Sequence, residues 1–235
     1  MAQGVVQQEI TMGHEAAVWL QRPGTALVVV DMQNDFVDPR GALAVPGAMA
    51  LLAPINALIL AARTAHAPIA WTMDWHPAQT GHFQPWGGPW PVHGVAHTWG
   101  ASLHPDLLSA DGLCFKKGLG QEDGYSGFMG YAAGGGAGPW DHESHGTCSL
   151  GAWLGQHAVQ AVVIVGVATE HCVAATASDA LKAGLDVVIP LDCCAAVDQA
   201  AGQVALARLR QRGTVLLEKE GQGGLPRNAS DHAGY

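Results

Sequence analysis

Four short apolar runs decide what this chain can fold into. Ala26 to Val30, Pro68 to Thr72, Ala161 to Val167 and Asp186 to Leu191 are built mostly from Val, Ile, Leu and Ala. None of them alternates polar with apolar residues. A strand with one wet face must alternate, so these runs read as strands buried on both faces, as in a parallel sheet covered by helices. Leu113 to Lys116 and Thr214 to Glu218 are weaker strand candidates. The stretches between are long enough for crossover helices: Pro54 to Ala65, Cys172 to Ala183 and Gln199 to Gln211. Pro54 fits a first helical turn, which leaves Ala48 to Ala53 as a turn or a short separate piece. Gly184 stands where a helix would end. The alternation of strand and helix predicts an α/β fold, a three-layer α/β/α sandwich around a mostly parallel, doubly wound sheet.

At 235 residues one core is the expectation, with residues 1–24 and 222–235 as peripheral extensions. Charged residues make up 13% of the chain and the net charge is −9, which argues against a nucleic-acid or basic membrane surface. No apolar run approaches the roughly 18 residues of a spanning helix, and Met1 to Thr11 carries no signal-like pattern. The expected compartment is the cytoplasm. Five cysteines without a C-x-x-C pair speak for free thiols rather than a disulfide framework.

Two segments break the alternation. Residues 76–106 are rich in His, Trp, Gly and Pro, and so long an irregular stretch is usually functional. Gly130 to Cys148 contains Gly134, Gly135, Gly136 and Gly138 and reads as a flexible surface insertion without a role. That glycine run follows no predicted strand and lacks the G-x-G-x-x-G spacing, which disfavours a nucleotide-binding module.

Four groups of residues could carry chemistry. Asp74 and His76 stand two apart at a strand end, where i and i+2 point the same way; His82 and His93 follow after short loops. One carboxylate with two or three imidazoles suits a divalent ion such as Zn, Fe or Mn; the plain alternative is a set of loop histidines. Cys172 stands at a strand-to-helix junction, where the helix dipole would depress its pKa; alternatively it is a buried structural thiol, as expected for Cys114, Cys193 and Cys194. Asp31 directly follows Val28, Val29 and Val30, as a proton carrier or as a cap; Asp35 and Asp38 read as caps. Lys116 and Lys117 end another candidate strand, to hold an anion or merely to be solvated. Taken together, Asp, Lys and Cys would share the carboxyl edge of a parallel sheet beside a candidate metal site.

Val30-Asp31-Met32-Gln33-Asn34-Asp35-Phe36, Asp74-Trp75-His76-Pro77 with His82-Phe83, Trp90-Pro91-Val92-His93-Gly94, Lys117-Gly118 and Gly166-Val167-Ala168-Thr169-Glu170-His171-Cys172-Val173 resemble the nicotinamidases of the isochorismatase-like cysteine hydrolase superfamily. The resemblance runs in order from about Thr25 to Gly221. It implies a catalytic triad of Asp31, Lys117 and Cys172. It implies a divalent metal ion on Asp74, His76 and His93, with His82 as a further ligand. Phe36 and Trp90 would sandwich a pyridine ring and Tyr125 would border the pocket. A cis Val167–Ala168 bond would make an oxyanion hole of the Ala168 and Cys172 N–H groups. His171 is expected to be structural. The implied reaction turns nicotinamide, a small-molecule substrate, into nicotinic acid and ammonia through a Cys172 thioester, in NAD salvage. A homo-oligomer stays open, since such enzymes occur in several states. The near alternative is a related hydrolase of carbamoyl or other small amides. Gly94, where many such enzymes carry Cys, together with His97 and Trp99, departs from the usual pattern and bears on substrate preference.

Overall fold

The computed structural model describes residues 14–120, 123–133 and 145–218. Helix α1 (His14–Leu20) leads into β1 (Thr25–Val30), every residue of which is buried. A short helix α2 (Asn34–Val37) and a 3-10 turn (Ala48–Leu51) precede α3 (Leu52–Thr64) and β2 (Ile69–Asp74). Then come β3 (Leu113–Lys117), β4 (Tyr131–Ala133), β5 (His145–Ser149), α4 (Leu150–Gln156) and β6 (Ala161–Val167). A π-helical turn (Thr169–Val173) runs into α5 (Ala174–Lys182), and β7 (Asp186–Pro190), β8 (Cys194–Ala195), α6 (Gln199–Gln211) and β9 (Val215–Leu217) follow.

The strands form one sheet in the order β5-β4-β3-β2-β1-β6-β7-β9, with β8 also pairing to β6. All pairings are parallel except β3–β4 and β4–β5. The apolar runs lie in the middle because they can bury both faces. Leu27 and Val29 of β1 pack with α1 and α3 on one side, whereas Ala26, Val28 and Val30 pack with α4, α5 and α6 on the other. Each Leu or Val side chain so withdrawn from water contributes on the order of 1.5–3 kcal/mol. Strand order reverses at β1, which has β2 on one flank and β6 on the other; the carboxyl ends there open the crevice where doubly wound sheets take ligands.

Four expectations need correction. Helix α3 begins at Leu52, two residues before Pro54, because a proline is tolerated anywhere in the first turn, where its missing N–H has no partner to lose. Strand β2 runs two residues past Thr72, so Asp74 is its last residue. Cys172 does not open an α-helix: it lies within the π turn, and α5 starts at Ala174. The ends of the Gly130 to Cys148 segment are not loop but the paired antiparallel strands β4 and β5; residues 134–144 lie outside the described residues.

Candidate active site

Three strand ends converge. Asp31 follows β1 with a φ of 50°, a left-handed turn rarely taken by a residue with a Cβ. Lys117 ends β3, and Cys172 follows β6 within the π turn. The close approach of β6 to β1 just before this point needs Gly166: its φ is 115°, and a Cβ there would stand 2.1 Å from the Val30 carbonyl oxygen. The Val167–Ala168 bond is cis, as the resemblance implied.

Lys117 is fully buried at the centre. Its Nζ lies 2.8 Å from Asp31 Oδ2, donates a very short hydrogen bond to Asp74 Oδ1, and lies 3.4 Å from Cys172 Sγ. Thr72 donates its hydroxyl to Asp31 Oδ1 at 2.7 Å, and a carboxylate oxygen of Asp31 lies within 4.8 Å of Cys172 Sγ. One cation therefore serves two carboxylates and a thiol away from water.

The charges follow from that geometry. Burial works against the Lys117 ammonium, but Asp31 and Asp74 outweigh it and raise its pKa well above the ordinary lysine value. Burial would lift Asp74 too, yet Lys117, then His76 and His93, hold it well below the usual carboxylate range. Asp31 goes the other way: burial raises it against the pull of Lys117, and Asp74 adds to the rise. Cys172 departs from expectation. Burial pushes its thiol well above the usual cysteine value, opposed by Lys117 and reinforced by Asp31 and Asp74. The thiol thus carries its proton at rest, because a buried thiolate beside two carboxylates costs more than one cation returns.

Beside this group, one ring nitrogen each of His76, His82 and His93 lies within 4.8 Å of the other two. Asp74 Oδ2, the oxygen not taken by Lys117, is 3.7 Å from Nε2 of both His76 and His93. All three Nδ1 atoms are engaged elsewhere: His76 with the Gly118 carbonyl at 2.9 Å, His93 with the Pro91 carbonyl at 2.7 Å, and His82 with Asp123 Oδ1 at 2.7 Å. Each contact calls for a donating Nδ1–H and leaves Nε2 as a lone pair. His76 Nε2 is buried without a hydrogen-bond partner. An orphaned buried acceptor among two more imidazoles and a carboxylate fits a divalent ion with nitrogen and oxygen ligands.

The pocket encloses about 390 Å³ of empty space, mouth included. Phe36, Trp90, Tyr125 and Ala168 all line it with Asp31 and Cys172, so every residue expected at the site lies at the pocket or directly beside it. Trp90 Nε1 donates to the Tyr125 hydroxyl at 2.8 Å. His171, expected to be structural, lines the pocket, its ring stacked on Tyr125 at 5.7 Å and edge-on to Trp90 at 5.0 Å.

Sequence reasoning missed three supports. The buried Gln33 accepts from the Asp74 N–H and donates to the Asp74 and Ala101 carbonyls, each at 2.8 Å, which fixes the end of β2. Asp35 is more than a cap: it accepts from the Gly94 N–H at 2.8 Å and so ties down the loop bearing His93. Asp123 holds His82. Gln33 and Asp35 sit inside the motif that carries the resemblance, which was the available signal; Asp123 had none.

The family described as Isochorismatase domain matches residues 25–221. A nicotinamidase of Acinetobacter baylyi is 38% identical over 196 residues, covering 76% of this chain and 84% of that protein. The pyrazinamidase of Pyrococcus horikoshii, solved in complex with zinc, superposes with a TM-score of 0.71 at 35% identity, over 83% of this chain and 99% of its own. PnC1 from L. infantum, solved in complex with nicotinate, gives a TM-score of 0.71 at 36% identity, over 83% and 93% of the two chains.

Proposed function

Because this chain belongs to the isochorismatase domain family, we propose that its centre hydrolyses nicotinamide to nicotinic acid and ammonia. The observation that carries the reading is the shared cleft: Asp31, Lys117 and Cys172 meet at three strand ends, beside three imidazoles whose ring nitrogens lie within 4.8 Å of one another. Relatives bearing the nicotinamidase name, and a neighbour holding nicotinate, support it.

The chain's residues divide the work. Phe36 and Trp90 flank the aromatic ring, and Tyr125 and His171 close its edge. Asp31 takes the Cys172 proton as sulfur bonds to the amide carbon. Its raised pKa suits it to that task, since a base works best when its pKa nears the operating pH. Lys117 balances the charge that moves between Asp31 and Cys172. The N–H groups of Ala168 and Cys172 receive the oxyanion, each such donor being worth about 3 kcal/mol. Asp31 returns the proton to the leaving nitrogen, and ammonia departs. Asp31 then deprotonates water, which cleaves the thioester to the acid and restores the thiol. Asp74, His76, His82 and His93 would hold a divalent ion, which when bound supplies Lewis acidity and an anchor for the ring nitrogen. A thiol nucleophile fits the reducing cytoplasm expected from the sequence.

The test is ammonia release from nicotinamide, benzamide and N-carbamoyl amides. Nicotinamide should be turned over, and benzamide, which lacks the ring nitrogen, poorly. Preference for a carbamoyl substrate would move the chain to the alternative hydrolase class.

A further inference from the structure

The three imidazoles are not supported alike. His76 and His93 give their Nδ1–H to backbone carbonyls, whereas His82 gives its own to a side chain, Asp123, at 2.7 Å. We propose that Asp123 is a positioning residue for the metal: it fixes the tautomer and the aim of His82, and so strengthens the hold on the ion. The proposal rests on the reading that this cluster binds a divalent cation.

Local geometry makes Asp123 more than a passing surface ion pair. His82 is 2% exposed and its ring stacks on His76 at 4.6 Å with 23° between planes, so it cannot turn away without disturbing a second donor. Next to Asp123, Gly124 comes up against Gly118. Gly124 has a φ of 62°, and a Cβ on it would stand 2.6 Å from the Gly118 nitrogen. Gly118 offers its carbonyl to His76, and Asp123 offers its carboxylate to His82. Tyr125, two residues on, bonds Trp90 at the pocket wall. Gly118, Asp123 and Tyr125 thus support two of the imidazoles and one side of the pocket.

A carboxylate also does what a carbonyl does not. Its full negative charge draws the Nδ1 proton more strongly, which raises electron density on Nε2 and makes His82 the better donor. Loss of such a partner typically costs about 10–100-fold in metal affinity. Asp123 is 53% exposed, so water can take its place in part, and the lower end, about 10-fold, is expected.

The experiment is a zinc titration of the full chain against a chromophoric chelator. The variants are Asp123→Ala, Asp123→Asn, His82→Ala, His76→Ala and the double variant Asp123→Ala/His82→Ala. Asp123→Ala should bind zinc about 10-fold more weakly. Asp123→Asn keeps an acceptor oxygen and should recover part of the loss. The double variant should bind no more weakly than His82→Ala alone, because Asp123 acts only through His82. The cobalt(II) spectrum of Asp123→Ala should shift as well, which a merely structural loss of stability would not cause. Wild-type zinc affinity in Asp123→Ala, or losses that multiply in the double variant, would overturn the proposal. Unchanged binding in His76→Ala would remove the metal reading itself. Failure of the wild type to hydrolyse nicotinamide would sink the proposed reaction while the zinc titrations still decide the role of Asp123.

Discussion

Replacing Lys117 by Met tests the centre where its electrostatics are most committed. The side chains of Lys117, Asp31 and Asp74 are 0%, 1% and 6% exposed, so deleting the ammonium strands two carboxylates out of water. Removing one partner from a buried ion pair costs about 3–5 kcal/mol, a large part of a total stability of about 5–15 kcal/mol. For a chain of this size that corresponds to a fall in Tm of roughly 6–20 °C. The pH dependence carries the sharper signature. In the wild type Asp74 is depressed, so its contribution is present above the unfolded carboxylate pKa and is lost as pH falls through the lower folded value. Without Lys117, burial dominates and both carboxyls rise above their unfolded values. The folded variant then binds more protons than the unfolded chain, and its stability declines as pH rises above about 4. Thermal unfolding of chelator-treated protein at pH 5 and pH 8 reads both effects. The variant should lie far below the wild type at pH 8 and close part of the gap at pH 5. A Tm within a degree or two of wild type at pH 8, or a gap that ignores pH, would refute this account of the centre.

Three further outcomes follow from the same geometry. Cys172→Ala should release no ammonia from nicotinamide while its circular dichroism and zinc content match the wild type; retained turnover would place the nucleophile elsewhere. Asp31→Asn should lower turnover by about 10²–10⁴-fold with little change in KM, and the reverse split in steady-state kinetics would make Asp31 a binding residue. Gly118→Ala should lower zinc content measured by elemental analysis, because φ there is 68° and the new Cβ would stand 2.3 Å from His76 Cε1; full zinc occupancy would show that His76 can yield.

The buried strands were legible because burial on both faces leaves no room for polar alternation, and β1, β2, β6 and β7 appear within two residues of their apolar runs. Helices α1 and α4 are only seven residues long, too short to repeat a periodic face, and were not anticipated. At the site, the candidate residues Asp31, Asp74, His76, His93 and Cys172 stood out by type and spacing. Residues that support the site through backbone partners distant in sequence did not, and Gln33, bonded to Asp74 and Ala101, is the clearest case. The state of Cys172 was misjudged because position at a helix start suggested a lowered pKa, while burial among carboxylates, which only the fold reveals, prevails. The position of His171 at the pocket could have been anticipated, since it directly precedes Cys172 in the turn that follows β6.

The position of β1 between β2 and β6 also means that the centre is drawn from distant parts of the chain. Leu27 pairs with Ile69 on one flank, within the first third of the chain, and with Val163 on the other. Asp31 and all four candidate metal donors therefore belong to chain already synthesised long before Cys172 leaves the ribosome. Until β6 pairs with β1, the candidate metal donors have no Cys172 beside them. The β1–β6 pairing, long-range and so of the slow kind in sheet proteins, is what brings Cys172 to the candidate metal donors.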